Sequence, residues 1–321
     1  MPLSPATIAV SIVIPAYNQA TLLVRLLDSF LAMGNQPLWE VIIVDDASTD
    51  DTQSQVADWL ENHGDVNGRY LRQEHNQGPG AARNRGLEVA KAPLVAFTDT
   101  DCVVKPGWLA ALVAPLDGNN TIVGVGGAVV PWNPDNRFAR YNTVNNTLQP
   151  IHAPDYPIPY LVTCNCVYRR NALQAAGGFP DDIPRPGGED VAASIALYKQ
   201  GYRFAFAPDA VVCHDYRDTW RSFMRTWTNY GFGCGLVAQR MLTPEERNPE
   251  LGKWDGDNYW GVQAVRPTVT GVRSLIKDLR WHWGRCLGLK TAPKRIPALM
   301  LLRVIERLCY FRGWKLAQRQ T

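Results

Sequence analysis

The sequence predicts an α/β protein, a mostly parallel sheet flanked by helices, followed by a basic helical extension. Three observations carry that expectation. Short, wholly apolar runs alternate with segments of helical period through the first 130 residues, as in right-handed βαβ units whose sheet is covered on both faces. Three of those runs end in polar or acidic residues. Charge is also divided along the chain: from Arg266 onward thirteen Lys or Arg face only Asp278 and Glu306, a net +11, so the first 265 residues carry −8 of the overall +3. Such a split suggests that the tail meets something anionic.

The elements follow in order. Residues 11–15 (SIVIP) form a buried strand. Residues 19–33 place Leu22, Leu23, Leu26, Leu27, Phe30 and Leu31 at helical spacing and stop at Gly34. A second all-apolar strand covers 41–44, and a helix begins near Thr49 with Ser48 or Thr49 as its cap. A third strand covers 69–72, an Ala/Arg/Leu-rich helix 80–90, and a fourth strand 94–97. The stretch 131–159 holds six prolines and reads as irregular. Beyond it come a strand over 161–168, a helix over 189–199, short strands at 204–206 and 211–213, and a helix over 219–230. Residues 243–261 are polar and turn-rich, a candidate mobile loop. In a helix over 296–311, Leu301, Val304, Ile305 and Leu308 share one face while Arg303, Glu306 and Arg307 share another.

Composition bounds the class. With 321 residues, 46% hydrophobic and 20% charged, the chain is long enough to bury a core without staples. No apolar run reaches the ~18 residues of a membrane-spanning helix, and the first nine residues lack the pattern of a secretory signal. Seven cysteines without a CxxC pair fit a reduced, cytoplasmic chain with no structural zinc.

Ligands of open parallel sheets bind beyond the carboxyl ends of the strands, so the residues that follow each strand matter most. They are Ala16-Tyr17-Asn18, Asp45-Asp46 and Thr98-Asp99-Thr100-Asp101. Asp99-x-Asp101 suits a hard divalent cation shared with phosphate oxygens, although the same acids could cap the next helix. Of Asp45 and Asp46, one reads as a helix cap. The other can accept a hydrogen bond from a base, and Tyr17 offers a flat face for stacking. The glycine-rich GPGAARN at 78–84 permits close backbone approach to a ligand. It lacks the P-loop pattern, and no GxGxxG follows the first strand, which weighs against NTPase and dinucleotide-dehydrogenase readings. Gly187-Gly188-Glu189-Asp190 reads equally as an ordinary helix start or as a general base at a loop-to-helix junction. His214 closes an apolar strand, where a lone histidine is more often structural than a ligand.

These segments, in this order, resemble glycosyltransferase family 2, the nucleotide-sugar-dependent enzymes of GT-A fold. The matching stretches are SIVIPAYN (11–18), VIIVDDASTD (41–50), GPGAARNRGLE (78–88), LVAFTDTDCVVKPGWL (94–109), GGFP (177–180) and GGEDVAASIALYKQGYRFAFAPDAVVCH (187–214). The resemblance implies a Rossmann-like mixed sheet, with 1–130 as the nucleotide-sugar half, 131–235 as the acceptor and catalytic half, and 236–321 as a loop plus basic helical extension. Pro15, Ala16, Tyr17 and Asp46 would line the base, and Arg83 would lie near the nucleotide. Asp99, Thr100 and Asp101 would match the D-x-D motif. Asp99 and Asp101 would hold Mn²⁺ or Mg²⁺, with His214 completing the shell. Asp190 would be the catalytic base, with Glu189 beside it. The helix over 220–235 would lie on the acceptor side. The implied reaction is inverting transfer of a sugar, UDP-linked, to a hydroxyl of a glycan or lipid-linked acceptor.

Two other classes compete. Nucleotidylyl transfer would need a basic phosphate loop after the first strand, and Ala16-Tyr17-Asn18 does not supply one. A catalytically inactive glycan- or nucleotide-binding module would be favoured by loss of Asp190 or of the D-x-D, and both are present. Nucleic acid is not an expected partner, since no recognised motif accompanies the basic tail. The tail has two compatible readings: a helix packed on the acidic body, or a peripheral contact with anionic lipid at the inner face of the cell membrane. The second draws on Arg280, Trp281, Trp283, Arg285, Lys290, Lys294 and Arg295 as well as on the final helix.

Overall fold

The computed structural model describes residues 9–34, 37–149, 158, 160–183, 185–243, 279 and 296–319. The polar stretch 243–261, apart from Thr243, and the basic aromatic stretch 280–295 lie outside the described residues. In chain order the elements are β1 (Val10–Ala16), α1 (Ala20–Leu31), β2 (Trp39–Asp45), α2 (Thr52–Asn62), β3 (Gly68–Arg72), α3 (Pro79–Val89), β4 (Leu94–Thr98), β5 (Cys102–Val104), α4 (Trp108–Val113), β6 (Ile122–Pro131), α5 (Arg137–Asn145), β7 (Asn165–Arg169), α6 (Arg170–Ala175), α7 (Glu189–Lys199), β8 (Arg203–His214), α8 (Trp220–Met241) and α9 (Ile296–Ala317). They form two compact units. The first is Met1–Trp132, Leu148–Pro184 and Ala192–Asp215; the second is Asn133–Thr147, Arg185–Val191 and Tyr216–Thr321.

The first unit holds one eight-stranded sheet of order β3-β2-β1-β4-β7-β6-β8-β5. β3, β2, β1 and β4 run parallel to one another, as the alternating pattern requires. β7 then runs antiparallel to both β4 and β6, which makes the sheet mixed. β8 pairs parallel with β6 and antiparallel with the short β5. The central strands are apolar on both faces because both are covered: every residue from Val41 to Asp45 is buried. α3 lies so close to β1 that a Cβ at Gly86 would sit 2.3 Å from Val13 Cγ1. Asn165 is a buried polar node. Its amide nitrogen donates to the carbonyls of Ala128 and Ala210, both at 2.8 Å, and its Oδ1 accepts from Trp108 Nε1 at 2.8 Å. Its polar groups are satisfied inside the core, so burial carries no desolvation penalty for an unmade bond.

Several expectations need correction. α2 starts at Thr52 with Asp51 at its cap position and no side-chain capping bond. Ser48 cannot cap it, because its hydroxyl accepts from Asn18 N at 2.9 Å. The strand expected over 161–168 begins only at Asn165. The two short strands near 204 and 211 are one, β8, with a register shift opposite Gly127 and Ala128. The proline-rich stretch contains α5, capped by Asn136, whose side chain accepts from Phe138 N and Ala139 N.

The described residues of the second unit are mainly helical. Phe138, Tyr141, Val144, Phe223, Leu299 and Leu302 form its core. α8 and α9 meet through glycine: a Cβ at Gly231 would lie 1.9 Å from Tyr310 O, and one at Gly313 1.9 Å from Thr228 O. Both positions therefore admit glycine alone unless a helix moves. The buried seam of α9 includes Leu299, Leu302, Arg303, Glu306, Tyr310 and Ala317. Glu306 accepts from the Tyr141 hydroxyl and from Arg303 Nη1 at 2.7 Å, with Arg307 Nη1 3.5 Å away. This pairing allows a carboxylate to sit at 1% exposure. Arg303 and Glu306 of α9 thus face inward while Leu301 and Leu308 point out, the reverse of the usual amphipathic arrangement over this part of the helix.

Candidate active site

In the first unit the ends of β1, β2, β4 and β8 carry the polar side chains named from the sequence. Ala16 and Asp45 are register partners, and Asp46 N donates to Ala16 O at 2.8 Å. The chain leaves β1 through exposed Tyr17 and then Asn18 in the left-handed region, φ 52°. Asn18 Oδ1 accepts from Thr49 N at 2.7 Å, lacing the loop after β1 to the loop after β2. Tyr17 remains 45% exposed beside these strand ends, while Pro15 is half-buried and Ala16 buried.

The two acids after β2 divide their work. Asp45 is fully buried and accepts from Tyr70 Oη, Arg72 Nη1 at 2.6 Å and Ser48 N at 2.8 Å. Burial first, then the bond to Asp45, pushes the Tyr70 phenol up to about 12. Asp46 Oδ1 accepts from Gln73 Nε2 at 2.6 Å and Gln77 N at 2.7 Å, and its Oδ2 accepts from Gly78 N at 2.8 Å. Asp46 therefore ties down the glycine-rich loop that opens α3. Sequence pattern named the acid and the loop but not the bonds between them.

After β4 the D-x-D residues point to different partners. Asp99 Oδ1 is held by buried Arg83 Nη2 at 2.7 Å, and the Arg83 guanidinium lies 5.9 Å from the Phe179 ring centre. Thr100 Oγ1 donates to Gln19 Oε1 at 2.8 Å. Asp101 Oδ1 lies 3.4 Å from His214 Nε2. β5 is responsible for that approach: its antiparallel register pairs Cys102 with His214, and Asp215 N closes the turn on Asp101 O at 2.8 Å. A residue pair 113 positions apart is joined by a three-residue strand that the sequence reading did not contain.

Among the described residues, no group of three or more His, Cys, Asp or Glu forms a ready-made metal cage. Asp101 and His214 nevertheless make a fitting partial set. Mg²⁺ and Mn²⁺ are bound through one or two protein carboxylates plus phosphate oxygens and water, and a neutral imidazole nitrogen can add a donor to such a set. Beside His214 lie two residues that spacing could not reveal. Trp132 N donates to His214 O at 2.9 Å. Arg25 bonds Asp215 Oδ2 at 2.8 Å and lies 4.8 Å from the centre of the Trp132 ring.

Glu189 and Asp190 belong to the second unit. Glu189 is buried, and its Oε2 accepts from Gly187 N at 2.7 Å, which locks the turn before α7. Asp190 is half-buried, and its Oδ1 accepts from Val191 N at 2.8 Å. Gly187 and Gly188 take φ values of 117° and 97°, which favour glycine. The turn rests on α8: a Cβ at Gly233 would fall 1.6 Å from Gly187 O. Burial pushes the nearby Cys234 thiol up to about 12, opposed by its bond to Tyr310 and reinforced by the charges of Asp190 and Glu189.

Residues 11–177 match the family model for glycosyl transferase family 2. The chain belongs to that family. Across 280 residues it is 31% identical to the pre-mycofactocin glycosyltransferase of Mycobacterium tuberculosis, a match covering 86% of this chain and 57% of that protein. It therefore spans little more than half the length of that relative. It is 29% identical over 211 residues to glycosyltransferase AglE of Haloferax volcanii, covering 65% of this chain and 67% of that one. Among solved structures, the mannosyltransferase PcManGT of Pyrobaculum calidifontis, in complex with GDP-Man and Mn²⁺, superposes with a TM-score of 0.64 at 20% identity, covering 98% of this chain and 91% of that one. S. aureus TarS superposes with a TM-score of 0.55 at 17% identity, covering 98% and 92%. These likenesses show the shared GT-A fold: a mixed, mostly parallel sheet flanked by helices, with a C-terminal helix in this family member.

Proposed function

We propose that the chain is an inverting, divalent-metal-dependent glycosyltransferase that moves a sugar from a nucleoside diphosphate, UDP in the first instance, to a hydroxyl of a glycan or lipid-linked acceptor. The supporting observation is the juxtaposition of Asp101 with His214 at the rim where Arg83 holds Asp99. Tyr17 stacks on the base. Asp46 Oδ2, with one bond from Gly78 N, keeps acceptor capacity for a ring N–H. Pro15 and Ala16 form the floor beneath the base, and Thr100 holds the D-x-D turn through Gln19. With one oxygen on Arg83, Asp99 keeps the other for a donor hydroxyl or for the cation.

Asp101 and His214 would hold Mn²⁺ or Mg²⁺, which when bound neutralises the negative charge that grows on the leaving diphosphate. The acceptor hydroxyl attacks the anomeric carbon in line and passes its proton to a carboxylate oxygen of Asp190. The anomeric C–O bond to the diphosphate breaks with inversion through an oxocarbenium-like transition state. Glu189 acts through the backbone: its bond to Gly187 N holds the turn from which Asp190 projects. The test is release of nucleoside diphosphate from a panel of sugar nucleotides with Mn²⁺ or Mg²⁺. One donor giving metal-dependent release supports the reading. Release from none of them, with equal nucleotide affinity with and without metal, contradicts it.

A further inference from the structure

The outward face of α9 is built for contact. Leu301 is 54% exposed and Leu308 64%, with half-buried Val304 between them. One, two and three turns further on, Arg312, Lys315 and Arg319 are exposed. Their spacing, from 301 through 304, 308, 312 and 315, follows one helical stripe. From residue 279 to the C-terminus the sequence contains a single acid, Glu306, and it is buried against Tyr141 and Arg303. The exposed face of α9 thus carries apolar and cationic groups and no anion. Among the described residues no helix is long and apolar enough to cross a membrane.

We propose that this stripe docks the protein on an anionic lipid surface. Leu301, Val304 and Leu308 enter the interfacial layer, and Arg312, Lys315 and Arg319 meet lipid phosphates. The charge pattern favours lipid over a second copy of the chain: two such stripes face to face would oppose six cations with no exposed acid between them. An interfacial helix combining apolar residues with a basic flank is the form that peripheral binding takes. The internal pairing of Glu306 has a direct consequence here, because it withdraws the one carboxylate of α9 from the exposed stripe. The inference does not depend on the glycosyl-transfer reading.

The test is co-sedimentation of the full chain with vesicles of phosphatidylcholine alone or mixed with phosphatidylglycerol. Binding is expected only to the mixed vesicles and weakens as salt is added. Leu301→Asp with Leu308→Asp lowers the partition coefficient at least about tenfold. Arg312→Glu with Lys315→Glu, on the basic half of the same stripe, lowers it to a similar extent. Unchanged thermal midpoints are expected for both pairs because the altered side chains are exposed. Three results would overturn the proposal: no binding to anionic vesicles, equal binding to both vesicle types, or a concentration-dependent dimer in ultracentrifugation that the Leu301/Leu308 pair abolishes.

Discussion

Replacing Gly233 by alanine should damage catalysis more than stability. The added methyl would sit 1.6 Å from Gly187 O and 2.5 Å from Gly187 C, whereas real Cβ atoms stay beyond 3.0 Å. The turn or α8 must therefore retreat by about 1.4 Å, the difference between the first and last of these distances. Two effects on stability oppose one another. Alanine in a helix interior is favoured over glycine by about 1 kcal/mol, while forcing extra volume into a packed contact costs about 1–3 kcal/mol. The net loss is about 0–2 kcal/mol, which leaves the protein folded. The effect on turnover differs because the displaced turn leads into Glu189 and Asp190, the proposed base, and misplacing a catalytic group by ~1 Å costs about 100-fold in rate. Gly64→Ala is the control, since a Cβ there meets nothing within 4 Å. Nucleoside diphosphate release and thermal unfolding should be followed for both variants. The expected pattern is a kcat about 100-fold lower for Gly233→Ala with donor affinity nearly unchanged, and wild-type behaviour for Gly64→Ala. A Gly233→Ala enzyme with wild-type kcat would refute the argument that α8 holds the base in place.

Two further outcomes follow from the first unit. Asp101→Ala and His214→Ala should each weaken the enhancement of UDP binding by Mn²⁺ at least about tenfold, as measured by calorimetry with and without metal; undiminished enhancement would remove the pair from the metal site. The Tyr70 phenol, raised from its usual 10.0 to about 12 in the fold, binds its proton more tightly when the protein is folded. Its contribution is complete below pH 10.0 and is lost as pH climbs towards 12, so stability should decline across that window in the native protein. Tyr70→Phe should flatten that decline and lower stability at neutral pH, because Asp45 loses a donor; an unchanged alkaline slope would refute the link.

How much of this the sequence discloses depends on the reach of the interactions involved. β1 to β4 are legible because strands buried on both faces must be continuously apolar. β6 is not, because Gly124, Gly126 and Gly127 interrupt the pattern. Gly127 is needed there, since a Cβ would lie 2.2 Å from Ala210 O and 2.4 Å from Asn165 Nδ2. β5 is only three residues long, below what periodicity can detect, yet it brings His214 to Asp101. Ser48 has the composition of a helix cap, but its hydroxyl serves Asn18, 30 residues away. Periodicity places Leu301 and Leu308 on one face of α9 without saying that they face out. That outcome depends on Tyr141 drawing Glu306 inward across 165 residues. Within the candidate site, the acids stand out because they follow apolar strands. Arg25 and Trp132 carry no local signature, because only the folded sheet brings them next to Asp215 and His214.

Asp190 is the group proposed to accept the acceptor's proton, and its removal is the most direct test. Asp190→Asn keeps the side-chain shape and removes the base. With the sugar nucleotide identified by the donor panel, the measurement is single-turnover transfer together with donor affinity. The expected result is a rate at least about 100-fold lower with donor Kd within a few-fold of wild type. Transfer at the native rate would contradict the account and assign the proton to another group.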